Sequence, residues 1–286
     1  MSSPYFSKDL DPRITPSRSD LAASWLKEHV SAPRYVDPAR HSIGVSCTSL
    51  YRSPDNIHAI ETQLLFGEQV DVLEQNQDWA WVQSVTDGYV GYIATSALTA
   101  ADQPATHRIS NIGSFVFPEA NIKETPRHHL SYGSHVRVIG EKDGLAQLAS
   151  GGFVPQAHLA TLDFHSEEPV AEAFRFLGVP YLWGGRSHTG IDCSALIQLV
   201  LQACNFPCPR DSDLQEKHLG KPIDREDVQG GDLVFFRGHV GLMVDDSTII
   251  HANDRSMAVS IDDLDEYCRW RAKNGKTPIK MFKRLA

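Results

Sequence analysis

The chain has no long apolar run, and a membrane-spanning helix needs about 20 consecutive apolar residues. Its opening, Met1-Ser2-Ser3-Pro4-Tyr5-Phe6-Ser7-Lys8-Asp9-Leu10-Asp11, carries charge where an export signal has its apolar core. A cytoplasmic protein with no membrane contact is therefore expected. Positive charge is in deficit, 27 Lys+Arg against 36 Asp+Glu, for a net charge of -9. That balance, with no basic patch to interrupt it, argues against a nucleic-acid or anionic-membrane partner. Cysteine is sparse: five residues, odd in number and scattered, which excludes a disulfide framework and fits a reducing compartment. Cys204 and Cys208 have no companion pair at metal-ligand spacing, so no metal is expected.

What is present begins with punctuation. Pro, Ser and charge dominate residues 1–18, an extended arm. Ser19 or Asp20 can then cap a short helix whose Leu21, Trp25, Leu26 and Val30 share one face. From about residue 41 to 162, short alternating runs separated by Gly, Pro, Asp and Asn are the signature of small all-β modules. A weak repeat runs through them. Gly67-Glu68-Gln69-Val70-Asp71-Val72-Leu73 resembles Gly133-Ser134-His135-Val136-Arg137-Val138-Ile139, and Gly91-Tyr92-Ile93 with Leu98 resembles Gly152-Phe153-Val154 with Leu159. The copies resemble two bacterial SH3-like barrels, the second lacking the tryptophan that precedes the first copy's hairpin.

Polar linkers fall near residues 100–107 and 163–169. Val170 to Leu177 then reads as a helix, ended by Gly178 and Pro180, with Ala173 and Leu177 positioned to pack under its neighbour. Next comes a Gly-rich approach, Tyr181-Leu182-Trp183-Gly184-Gly185, followed by Gly190-Ile191-Asp192-Cys193-Ser194. Leu196, Leu199, Val200 and Ala203 recur at the spacing of one helical face. Cys193 is thus expected at a helix N-terminus, where free N–H groups and the helix dipole favour a thiolate. A nucleophile also needs a base. His239 opens Gly238-His239-Val240-Gly241-Leu242-Met243-Val244, an alternating strand, and His251 lies on the partner strand Thr248 to Ala252. His251 can orient His239, and Asn253, two residues on, is the alternative orienter.

These ordered pieces, together with Gly231-Asp232-Leu233-Val234-Phe235-Phe236, resemble the NlpC family of papain-like cysteine peptidases, which cut peptidoglycan stem peptides. The resemblance covers residues 165–286. Ala195 departs from it, standing where the family usually has glycine. It implies an α+β papain-like (NlpC-type) catalytic domain at 163–286, behind an arm and short helix at 1–40 and two small all-β SH3-like barrels at 41–100 and 101–162. It further implies Cys193 as nucleophile, His239 as base, His251 as orienter and Tyr181 as an oxyanion donor, with Trp183 as a pocket wall and no cofactor. In family members with N-terminal SH3-like modules, the motifs matching Asp192-Cys193-Ser194 and Arg210-Asp211-Ser212 bind the free amine of an N-terminal L-alanine. A tyrosine of the first module, here Tyr89, closes that end of the cleft. The implied reaction is hydrolysis of the γ-D-glutamyl to L-diamino-acid bond of murein tripeptides or tetrapeptides during recycling. Three other readings stay open: an exported hydrolase of intact wall, an inactive wall-binding scaffold, and an amidase or acyltransferase on the same fold.

Overall fold

The computed structural model describes residues 10–101 and 103–285, and the chain divides into two compact units, Met1–Leu162 and Asp163–Ala286. Residues 1–9 of the expected arm and Asp102 of the expected linker lie outside the described residues. No helix among the described residues is long and apolar enough to cross a membrane.

In the N-terminal unit, alternation of Val70 and Val72 with Gln69 and Asp71 makes a strand with one buried face. It lies in a five-stranded antiparallel sheet in the order Val90–Ala94, Trp79–Ser84, Gln69–Gln75, Ala39–Ile43, Leu98–Ala100, accompanied by the hairpin Cys47–Leu50 and Thr62–Leu65. The segment from His107–Ile109 to Leu159–Thr161 repeats this succession of strands, including a 3-10 turn before its last strand. Buried Ile43, Leu50, Leu64, Val70, Ala80 and Val82 recur at one constant spacing as buried Ile109, Val116, Leu130, Val136, Ala146 and Leu148.

The helix expected over Leu21 to Val30 does not form. Ala22–Ala23 pairs in parallel with Tyr35–Val36, and Ser24–Leu26 makes a single 3-10 turn. Tertiary partners claim the backbone first: Arg18 N donates to Leu21 O, and Ala23 N donates to Pro16 O. Leu21, Ala23 and Leu26 bury instead against Leu73 and Trp81. Nor is the described part of the arm detached, since Gln83 Nε2 donates to Ile14 O at 3.1 Å and Val90 N to Arg13 O.

The C-terminal unit contains, in chain order, α1 (Pro169–Phe174), α2 (Cys193–Ala203), α3 (Ser212–His218), β1 (Lys221–Ile223), β2 (Leu233–Phe236), β3 (His239–Met243), β4 (Thr248–Asn253), β5 (Ala258–Asp263), α4 (Leu264–Lys273) and β6 (Ile279–Arg284). The six strands form one antiparallel sheet in the order β1-β6-β2-β3-β4-β5. Helix α2 packs on β3 and β4 and is flanked by α1 and α3. It is apolar nearly all round and is buried on every side, Gln202 alone being partly exposed. Helix α1 stops at Phe174, so the i, i+4 pairing expected of Ala173 and Leu177 is not made. Ala173 and Phe176 are fully buried while Leu177 is half exposed. Phe236, Met243, Ile249, Leu264 and Tyr267 form the core between the sheet and α4, each such buried side chain contributing about 1.5–3 kcal/mol.

Candidate active site

Helix α2 begins at Cys193 because Asp192 caps it: Oδ1 accepts from Ala195 N at 2.8 Å. The same carboxylate accepts from Gly184 N at 2.9 Å through Oδ2. Gly184 has φ +73, and a Cβ at Gly185 would stand 2.5 Å from the carbonyl oxygen of Gly190. The two glycines are therefore needed for the approach to the cap. Arg210, 1% exposed, completes the arrangement, its Nη1 and Nη2 donating to Asp192 Oδ1 and Oδ2 at 2.9 and 2.7 Å. Nη1 also donates to Ser194 Oγ at 2.9 Å, and that hydroxyl donates to Asp192 Oδ1 at 3.2 Å.

Asp192 and Ser194, expected to bind a substrate amine, are both engaged within the domain. The Asp192 carboxylate holds five donors, counting both Arg210 nitrogens, which fills its lone-pair sites. Ser194 Oγ is engaged both as donor and as acceptor. The pair fixes the position of the cysteine and does not present an empty carboxylate.

Cys193 is 8% exposed, and its sulfur lies against the backbone N–H of Val240, the residue after His239. Burial pushes its thiol up to about 12 and the Asp192 charge adds to this, against the Val240 and Ser194 N–H groups and Arg210. The resting group is thus a thiol and not the expected thiolate. The physical reason is first the burial of the sulfur, which disfavours its charged form, and second the capping carboxylate, which sets a full negative charge beside it where the helix dipole alone would be positive.

His239 and His251 are brought together across β3 and β4, His239 Nε2 to His251 Nδ1 at 2.8 Å. The far nitrogen of His251, Nε2, lies 3.0 Å from Asp262 Oδ2 on β5. A Cβ at Gly241 would stand 2.4 Å from Ile249 Cδ1 and 3.3 Å from His251 Cβ, so the close crossing of the strands requires glycine there. Tyr267 of α4 packs edge-on against His251, ring centroids 4.4 Å apart, and lies 5.8 Å from the His239 ring. Burial holds both imidazoles below their ordinary titration range, His239 strongly so.

The model of the NlpC/P60 family matches residues 178–273, a span that holds Cys193, His239, His251 and Asp262. The chain carries an NlpC/P60 domain. The model of the bacterial dipeptidyl-peptidase Sh3 domain matches residues 50–98. Among similar proteins, Dipeptidyl-peptidase 6 of Lysinibacillus sphaericus is 29% identical over 76% of this chain and 89% of its own length. Gamma-D-glutamyl-L-lysine dipeptidyl-peptidase of Bacillus subtilis (strain 168) is also 29% identical, over 74% of this chain and 78% of its own. The fold is shared with an NlpC/P60 family protein from Bacillus cereus, with TM-score 0.73 and 21% identity, covering 86% of this chain and 99% of that one.

The remaining expected residues lie on both units. In the NlpC/P60 domain, Tyr181 is half-buried, and burial together with the nearby Cys193 and Asp192 raises its phenol above its ordinary range. Trp183, the expected pocket wall, is 68% exposed. Asp211 and Ser212, half-buried, open α3 directly after Arg210. Tyr89 belongs to the N-terminal unit, where it is buried and its hydroxyl donates to Glu61 Oε2 at 3.3 Å. Tyr92 of the same unit is only partly buried and accepts from Arg18 Nη1 at 2.8 Å. Asn253, the alternative orienter, accepts from Arg255 N and Ser256 N and so holds the turn after β4 instead. Sequence reasoning missed Asp262 and Tyr267, and it took Arg210 for part of a ligand-binding cluster. Only the alternation Ser260-Ile261-Asp262 hinted that Asp262 shares a strand face with a site residue.

Proposed function

We propose that this chain is a cysteine endopeptidase that hydrolyses the γ-D-glutamyl to L-diamino-acid bond of murein tripeptides or tetrapeptides bearing a free N-terminal L-alanine. The observation that carries the reading is the buried cysteine at the start of α2, its sulfur against the backbone N–H of Val240, the residue directly after one of two buried histidines in 2.8 Å contact. The names of the relatives similar over most of the chain support the substrate class.

The chemistry follows from the atoms. His239 Nδ1 takes the Cys193 proton as Sγ attacks the γ-carbonyl carbon, and the carbonyl π pair moves to oxygen. The Tyr181 hydroxyl and N–H groups at the start of α2 hold that oxyanion. Collapse breaks the C–N bond, and the leaving amine takes the proton from His239. Water then gives a proton to the same nitrogen and attacks the thioester, so that L-Ala-D-Glu leaves and the thiol is restored. Asp211 and Ser212 are assigned to the free amine. The domain takes the papain-like arrangement, in which a nucleophile helix packs on an antiparallel sheet. Both β-modules are SH3-like barrels, the second by its repeated strand order and core positions. An enzyme that requires a free amine acts after the glycan has been removed, which fits recycling of released stem peptides.

The test is mass spectrometry of products from L-Ala-γ-D-Glu-diaminopimelate and from its N-acetylated form. Cleavage of the free-amine peptide alone is the expected result. Cleavage of both would remove the amine requirement and favour action on intact wall, and cleavage of neither would overturn the reading.

A further inference from the structure

The proton inventory of the histidine pair has a consequence for catalysis. Both rings are buried and held neutral, and the charges of Arg271, Lys276 and Arg255 oppose a further proton on them while Asp262 favours one on His251. Arg271 of α4 lies with its guanidinium 4.4 Å from the Phe236 ring and 5.7 Å from the Tyr267 ring. Lys276 pairs with Asp254, and Arg255 donates to Asp262 Oδ1 at 3.1 Å. Each neutral imidazole carries one N–H. In the row of groups from His239 to His251 to Asp262, only two arrangements keep every contact a hydrogen bond. Either both rings are protonated at Nε2 and donate towards Asp262, or both are protonated at Nδ1 and donate the other way.

An ionised carboxylate is an acceptor only, so Asp262 forces His251 to donate from Nε2. His251 Nδ1 is then an acceptor, His239 must donate from Nε2, and His239 Nδ1 is left bare. We infer that Asp262 is a positioning residue of the reaction, setting through His251 which nitrogen of His239 is free to take the Cys193 proton. The inference rests on the reading of Cys193 and His239 as nucleophile and base.

The surroundings of Asp262 make the idea testable. Its Oδ1 accepts from Arg255 Nη1, and its Oδ2 accepts from Ser260 Oγ at 3.0 Å as well as from His251. In Asp262→Asn, Arg255 requires an oxygen at the Oδ1 position, which turns the amide nitrogen towards His251 Nε2. That donor reverses the row and places the proton on His239 Nδ1. In Asp262→Ala the side chain is gone, water enters a site whose carboxylate side chain is 17% exposed, and both arrangements become available. A purely structural carboxylate would give the opposite ranking, with asparagine milder than alanine.

The experiment compares wild type, Asp262→Asn and Asp262→Ala as full chains, by turnover of L-Ala-γ-D-Glu-diaminopimelate and by 15N NMR of histidine tautomers. Asp262→Asn is expected to lower kcat by about a thousandfold with little change in KM, and Asp262→Ala by only about tenfold. Wild-type His239 is expected to be protonated at Nε2. A wild-type His239 protonated at Nδ1 overturns the inference, whether or not either variant folds. So does an asparagine variant with wild-type kcat, or an alanine variant slower than the asparagine one. Wild type that leaves the peptide uncut would instead defeat the functional reading, while the tautomer measurement still decides the inference.

Discussion

The two units place their charge differently. In the N-terminal unit, ion pairs lie at the surface: the side chains are 46% and 19% exposed in Arg40–Asp71, and 73% and 21% in Arg52–Glu61. The interiors there are apolar, as in the cluster of Ile109, Val116, Leu130, Val136, Ala146, Leu148 and Val154. In the NlpC/P60 domain the ion pair Arg210–Asp192 has side chains 1% and 11% exposed, next to a buried cysteine and two buried histidines. Burying charge is costly unless every partner is met. A fold that does so beside the buried cysteine gives up stability for placement, whereas the ion pairs Arg40–Asp71 and Arg52–Glu61 of the β-modules stay solvated.

The largest expected effect breaks the comparison at its centre. Cys193→Ala should lower turnover by about a millionfold while circular dichroism stays that of the wild type; a variant that kept its turnover would end the covalent mechanism. Asp192→Ala should cost about 3–5 kcal/mol in urea unfolding of the C-terminal unit, because it removes the carboxylate that both terminal nitrogens of the buried Arg210 hold. A loss under about 1 kcal/mol would mean that the pair is as expendable as a surface one. Gly241→Ala should cost about 1–3 kcal/mol by overpacking and should also depress kcat, since the added methyl pushes against Ile249 and His251.

The pH dependence of stability sharpens the same contrast. His239 is held neutral by burial, so its folded pKa lies well below 6.5. The unfolded chain takes up that proton first, and this stabilisation is intact above about 6.5 and lost as pH falls below it. For Cys193, raised from 9.0 to about 12, the folded state holds the proton longer. Its contribution is intact below about 9 and lost as pH rises from there towards 12. Thermal unfolding of the C-terminal unit should therefore peak between these limits, and Cys193→Ala should flatten the alkaline side alone. The smallest effect belongs to the other unit: Arg40→Ala should change stability by less than about 1 kcal/mol, and a larger loss would show that surface charge in the β-module is structural after all.

Local order made much of this molecule readable. Helix α2 and its start at Cys193 follow from Asp192 as a cap and from the run of apolar residues behind it. Strands β3 and β4 follow from alternation and from the Asp245-Asp246-Ser247 turn, and His239 could be set against His251 because a tight hairpin leaves few registers. The repeated β-pattern was legible for the same reason, since alternation and turn residues act within a few positions. The Leu21 to Val30 segment was misread because its helical spacing is a weak preference, which contacts with Leu73 and Trp81 override.

The sequence by itself singled out Cys193, His239 and His251 as candidates, because short-range pattern and spacing encode a cysteine at a helix start and two histidines on paired strands. Only the tertiary structure decided what state those groups rest in and what holds them. Arg210 saturates Asp192 from 18 residues away, Asp262 reaches His251 from the next strand, and burial turns an expected thiolate into a thiol. Those are effects of distance in space and of exclusion of water, and neither is written in the spacing of residues along the chain.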